Sequence, residues 1–209
     1  MSEGKRGYHS PLRAEQAQRT RGVVLEAARQ CFLEKGYAAT TMKDVSAQAG
    51  VSVQTVFGQG SKASLLLACV DRAVVGDDEE LPLAQRELFV RPIQAPDLPA
   101  KLAALRELVV HFVPNTVPVL RVFAAAATTD PEIAGAWAEY ERRRFADQRF
   151  LIDSFEPWLR PGLGLDRAAE IAWGVFNLEV VANLVEVRGW ALEEYADFLV
   201  DAIERLLLD

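Results

Sequence analysis

The spacing with most chemical content runs from Thr41 to Lys62. Thr41 and Ser52 are hydroxyl residues placed to cap helices, since each side-chain oxygen can accept from an orphan backbone N–H three residues on. Asp44 stands at the N3 position after Thr41, as in a capping box. Gly50 lies between the two caps, and Val45, Val51 and Val56 hold the offsets at which two short helices pack steeply across a turn of about three residues. Ser46 is small where such helices approach closely. This spacing fits a helix-turn-helix, a motif that reads a DNA groove, and it also fits a small helical bundle without that role. Residues that could make or break bonds are scarce. His9 and His111 are the two histidines, Cys31 and Cys69 the two cysteines, and there is no glycine-rich phosphate loop, CxxC pair or HExxH motif. A nucleophile–base pair would have to recruit His111, which neighbours Phe112 on an apolar helix. The chain therefore reads as a non-enzyme with no catalytic residues, no metal site and no cofactor.

The elements that must position this motif follow from periodicity. Val24, Leu25, Ala28, Cys31 and Phe32 repeat at 3.6 residues, and Gly36 sits where a left-handed glycine ends a helix. Thr41 opens a second helix carrying Met42, Val45 and Ala49; Ser52 opens a third with Val53, Val56 and Phe57; Ser61 opens a fourth with Leu65, Leu66, Cys69, Val70 and Ala73. An acid run, Asp77 to Glu80, and then Pro82, Pro92, Pro96 and Pro99 read as a connector. Beyond it the pattern predicts helices over 98–113, 117–127, 132–155, 167–188 and 192–208, with Asp130 ahead of Pro131 as one N-cap and Asp166 as another. The fold class is all-α with about nine helices. The domains are residues 1–75 and 76–209.

Charge divides the chain at the same place. Residues 1–75 hold 10 Lys+Arg against 6 Asp+Glu, and the remainder holds 13 against 24, so a net +4 third precedes a net −11 remainder. Phosphate contact needs cations locally, which this division supplies. The charge-free apolar stretch Leu108 to Leu120 is short of the roughly 20 residues of a membrane span and contains Pro114 and Pro118. The first 13 residues have no apolar signal core, so the expectation is a cytoplasmic protein without a membrane partner.

The run Ala27-Ala28-x3-Phe32-x3-Gly36-Tyr37-x2-Thr40-Thr41-x3-Val45-Ser46-x2-Ala49-Gly50-Val51-Ser52-x2-Thr55-Val56-Phe57, followed by Lys62-x2-Leu65-Leu66, resembles the tetracycline-repressor (TetR) family of bacterial transcription regulators. The resemblance covers about residues 15 to 75. It implies a ligand-responsive regulator, a repressor in the sense that family name carries, which binds a palindromic operator in double-stranded DNA as a homodimer. Phe57 stands where the family usually has Tyr, and Gly58-Gln59-Gly60 replaces bulkier residues, so the recognition helix should have a short or frayed end. A helical protein–protein adaptor that does not bind DNA is the alternative those glycines leave open.

Carried residue by residue, the resemblance assigns base reading to Gln54 and Thr55 with Ser52 nearby. It assigns phosphate contact to Thr40, Thr41, Gln59 and Lys62, with Phe57 on the same face. For the basic arm Lys5, Arg6, Tyr8, His9 and Arg13 two readings stand: disorder, which is the commoner state of such arms, and contact with a minor groove. In the second domain the resemblance implies a dimer interface on the last two helices and a pocket for a small apolar or aromatic effector. Phe112, Phe123, Trp137, Tyr140, Trp173 and Phe176 are its aromatic candidates. Asn177 and Asn183 are its polar ones, because a buried amide needs a partner.

Overall fold

A computed structural model describes residues 11–75 and 87–209. The arm residues Lys5, Arg6, Tyr8 and His9 lie outside the described residues, as do the acid run Asp77 to Glu80 and Pro82. The chain forms two compact units, one ending at Cys69 and the other beginning at Val70.

The first unit is built from α1 (Pro11–Ala39), α2 (Met42–Ala49), α3 (Val53–Phe57) and the greater part of α4 (Lys62–Val75). Gly36 breaks the regular geometry of α1 at φ 75°, which glycine alone adopts without steric cost. The break turns Tyr37 back so that its ring lies 5.9 Å from Phe32. Val24, Ala28, Phe32, Val45, Val56 and Leu66 are fully buried, so each helix gives its apolar positions to one core. Cys31 and Cys69 are buried free thiols in that core, and the Cys69 thiol donates to the Leu25 carbonyl at 3.4 Å. α3 has five residues, as the glycines after Phe57 require. Gly58 keeps a right-handed helical φ of −64°, whereas Gly60 takes φ 136°.

The second unit contains the last residues of α4, then α5 (Glu87–Gln94), α6 (Leu98–Ala127), α7 (Pro131–Asp153), α8 (Leu165–Val175), α9 (Leu178–Val181) and α10 (Leu192–Leu207). One isolated antiparallel bridge joins Leu159 to Leu208. A core of Leu105, Leu108, Ile152, Phe155, Ala172 and Ile203 is continued by a second cluster around Val113, Val117, Val181, Tyr195 and Leu199.

Three local expectations are corrected by the fold. Pro114 and Pro118 do not divide α6, which is one helix from Leu98 to Ala127. Each proline removes one backbone donor, but Pro114 faces solvent while Val113, Thr116 and Val117 are buried, so tertiary packing holds the helix through both. The helix expected over 167–188 is interrupted at Phe176 (φ −82°, ψ 42°) and Asn177, whose side chain caps α9 by accepting from the Glu179 N–H at 2.8 Å. Past α9 the backbone widens into a π-helical segment, Ala182–Val187. Asp166 is inside the first turn of α8, and Gly164 occupies the cap position. Asp130 does cap α7 ahead of Pro131.

The supposed connector contains α5, and a buried lysine fixes it. Lys101 is 3% exposed and donates to the carbonyls of Pro92 and Ile93 at 3.0 and 2.7 Å, the carbonyls that a helix leaves unsatisfied at its C-terminal end. Its ammonium also lies 5.5 Å from the Phe155 ring centre. By length and composition α6 and the stretch 165–187 could each cross a membrane; in the fold α6 supplies the centre of both clusters.

The two glycines after α3 should respond oppositely to alanine. At Gly60 a Cβ would collide with Ser64 Oγ at a φ that L-residues avoid, so Gly60→Ala should destabilise the protein by about 1–3 kcal/mol. At Gly58 a Cβ would meet backbone oxygens at 3.3 and 3.4 Å in a helical conformation, and Gly58→Ala should be neutral or stabilising by up to about 1 kcal/mol. Urea melts of the two single variants check this.

Candidate functional site

The helix-turn-helix is held by its caps. The Thr41 hydroxyl donates to Asp44 Oδ2 at 2.6 Å and accepts from the Asp44 N–H at 3.2 Å, while the Thr41 N–H donates to the same carboxylate, completing the capping box. Lys35 reaches Asp44 Oδ1 at 2.6 Å. The Lys35 hydrogen bond, reinforced by those from Thr41, holds the Asp44 carboxyl well below its ordinary value. Gly50 closes α2 at φ 65°, and the Ser46 hydroxyl donates to the Val51 carbonyl at 2.6 Å across the turn. Ser52 then caps α3 by accepting from the Thr55 N–H at 3.1 Å, and its hydroxyl lies 2.8 Å from that of Thr55.

These bonds sort the candidate residues. Thr41, Ser52 and Thr55 have their hydroxyls in caps. Thr40 is buried and donates to the carbonyls of Cys31 and Gly36. Lys62 Nζ donates to the carbonyls of Tyr37 at 2.9 Å and Thr40 at 3.1 Å, with Ala38 at 3.5 Å, and sits 4.3 Å from the centre of the Tyr37 ring. An ammonium has three donors, so the phosphate role read for Thr40 and Lys62 meets side chains already turned inward. Left outward on α3 are Gln54, which is exposed, and Phe57, which is 60% exposed. The Gln59 carbonyl accepts from Arg21 Nη1 at 3.4 Å, which ties α1 to the loop after α3. Lys43, absent from the motif reading, is exposed in the first turn of α2.

The second unit encloses a cavity of about 380 Å³. Of the eight candidates, Phe112, Tyr140, Phe176 and Asn177 line it. The interruption between α8 and α9 brings Phe176 and Asn177 to the wall. Phe123 is fully buried in a ring cluster with Trp137 at 5.1 Å and Tyr140 at 5.9 Å, behind the wall. Trp173 packs edge-on against Phe145 at 5.3 Å with the Arg144 guanidinium 3.8 Å above its face, and Asn183 is exposed. Burial pushes the Tyr140 phenol above its ordinary range, so it stays a neutral hydrogen-bonding group.

Sequence reasoning missed the charged part of the wall and Gln148. Tyr140, Arg143, Arg144, Asp147, Gln148 and Leu151 repeat at intervals of three and four, the spacing of one face of α7, and all line the cavity. Asp71 and Val74 join them from α4, and Phe89 and Ile93 from α5. Charged residues on a long helix read as a solvated face; the usable signal was that they occupy the stripe where an ordinary core helix carries aliphatic residues.

Taken by themselves, the described residues form an all-helical protein with a helix-turn-helix module and a second helical unit that encloses a cavity. Residues 24–69 match the family model described as bacterial regulatory proteins, tetR family. The HTH-type transcriptional regulator TtgR of Pseudomonas putida is 31% identical over 109 residues, covering 46% of this chain and 52% of TtgR; the chain thus matches about half the length of that curated relative. Among solved structures, a protein of Saccharomonospora viridis in complex with choline has a TM-score of 0.72 at 20% identity over 92% of this chain and 99% of that one. SmeT, described as the repressor of the Stenotrophomonas maltophilia multidrug efflux pump SmeDEF and solved with triclosan, has a TM-score of 0.70 at 18% identity over 92% and 93%. The fold is shared with these proteins over nearly the whole chain.

Two outcomes test the geometry of the module. Lys62→Ala removes charge-assisted bonds to carbonyls and should lower its stability by about 1.5–3 kcal/mol, read by urea denaturation. Asp44 is held below its ordinary value of 3.8 in the folded state, so its contribution is present above that pH and is lost as pH falls through the folded-state value. Denaturation of wild type and Asp44→Asn at pH 7 and pH 3 should show the gap between them narrowing in acid.

Proposed function

We propose that the protein is a DNA-binding transcription regulator, a repressor, that acts as a homodimer on a palindromic operator and responds to a small organic effector. The observation that carries the reading is the α2–Gly50–α3 geometry. The hydroxyls around the turn are committed to caps, while Gln54 and Phe57 project from α3 without an internal role. Gln is suited to base reading because its amide can pair bidentately with adenine. The family match over residues 24–69 supports the DNA reading, and the repressor named SmeT, which shares the fold, supports the sign.

Dimerisation is supported by the apolar surface at the end of the chain. On α10, Tyr195, Leu199, Ile203 and Leu207 are buried, while a neighbouring row leaves Phe198 36% and Leu206 44% exposed. Val187, at the end of the π-helical segment, is 74% exposed. A second copy covering these residues would make an isologous interface and provide the two-fold symmetry of a palindrome. The effector reading rests on the cavity, whose size suits a small molecule. The same fold is recorded with choline in one protein and with triclosan in another, so the lining, not the fold, must select. α4 belongs to both units by sequence, with Lys62 at its start and Asp71 and Val74 on the cavity wall, and it is the natural carrier of a signal. A protein that works on chromosomal DNA works in the cytoplasm.

A gel shift with the DNA upstream of its own gene tests the reading; loss of all binding at low salt would favour the adaptor. Gln54→Ala should weaken operator binding by about 1–3 kcal/mol and relax the preference at particular bases at matched salt. An unchanged base preference in that variant, measured by competition with operators changed one base pair at a time, would remove Gln54 from the reading.

A further inference from the structure

The charged groups of the cavity are not equivalent. Arg143 and Arg144 have carboxylate partners outside the cavity lining: Arg143 Nε binds Glu139 at 2.6 Å, and Arg144 binds Glu141 at 3.2 Å as well as the Phe176 carbonyl at 3.1 Å. Asp71 and Asp147 have no such bond. Among the described residues neither carboxylate takes part in a hydrogen bond or ion pair, and each feels only the field of Arg143. The Glu139 carboxylate is shared with Arg142, so the Arg142–Glu139–Arg143 group keeps one positive charge, Arg144 is balanced by Glu141, and with Asp71 and Asp147 the charged groups at the cavity sum to −1. The rest of the wall is largely apolar and includes Phe89, Phe112 and Phe176. Gln148 Nε2, on the same face of α7 as Asp147, is buried without a hydrogen-bond partner.

We infer that the effector is a lipophilic organic cation, its charged end held between Asp71 on α4 and Asp147 on α7 and its apolar body in the aromatic interior. The inference rests on the reading of the cavity as an effector site. Burial raises the carboxyl pKa of both aspartates, which is the cost of holding a carboxylate where water is partly excluded without a paired cation. A ligand cation relieves that cost, while an anion would add to it. Aromatic rings nearby favour an alkylated ammonium over a strongly hydrated one, since ring faces attract such cations without needing hydrogen bonds. Gln148 Nε2 is a donor for an oxygen on the same ligand. Because Asp71 belongs to α4 and Asp147 to α7, a cation between them would couple those two helices, so recognition of the charge and displacement of α4 would be one event.

Titration calorimetry with three ligands of one chain length separates the outcomes: decyltrimethylammonium below its micelle concentration, decan-1-ol and decanoate. The cation should bind wild type at least tenfold more tightly than the alcohol, and decanoate should bind most weakly. In Asp71→Asn/Asp147→Asn the preference for the cation over the alcohol should vanish, with the alcohol's affinity unchanged as a check on the fold. If the double variant does not fold, Asp147→Asn alone should reduce the preference at least threefold. Equal binding of cation and alcohol by wild type, tighter binding of decanoate, or a preference that survives the substitutions would overturn the charge assignment and leave the cavity as an effector site. Failure of all three ligands to bind or to raise the melting temperature would overturn both.

Discussion

The Lys62 ammonium, held on the carbonyls at the end of α1, is the constraint on which the first unit depends. A helix ends with carbonyls that need donors. Here one cation from the start of α4 meets those of Tyr37 and Thr40 and rests against the Tyr37 ring, while the Thr40 hydroxyl covers those of Cys31 and Gly36. That junction fixes where α1 stops, where Thr41 starts α2 and how α4 departs. α3 is strung between the two fixed ends. Its position is therefore set less by its own five residues than by the anchor on either side of it.

Lys101 repeats the device in the second unit, again with a lysine capping a C-terminal helix end against aromatic rings. There the anchored element is α5, which brings Phe89 and Ile93 to the cavity. In each unit a lysine from a later helix satisfies the carbonyls at the end of an earlier one.

What was legible in the sequence was local. Caps such as Thr41, Ser52 and Asp130, and the glycines at 36 and 50, act within a few residues, and each appears where the spacing put it. The all-helical class followed from periodicity over long segments. What failed was decided by packing from a distance. Pro114 reads as a break, yet the buried face of α6 holds the helix through it. The interruption at Phe176 has no proline to announce it and a single glycine, Gly174, two residues earlier; the Phe176 carbonyl meets Arg144. For the site, the motif marks Lys62 as important but suggests an outward partner, because sequence cannot show that α1 ends beneath it. Asp71, Asp147 and Gln148 were invisible for the converse reason: polar residues on amphipathic helices ordinarily face open solvent, and only the fold reveals that these three line a cavity.

Under the proposed function, the brevity of α3 bears on how an address would be found. Five helical residues span about 7.5 Å, little more than half the width of the major groove, and present two outward side chains at most to the base edges. Such a reader distinguishes few base pairs, and each mismatch costs only about 1–3 kcal/mol against about a million or more competing sites. One copy would be lost among near-matches. Selectivity would then come from counting: two weak readers at a fixed separation reject every sequence that satisfies only one of them, and a molecule that alters the separation need not touch a base to erase the address.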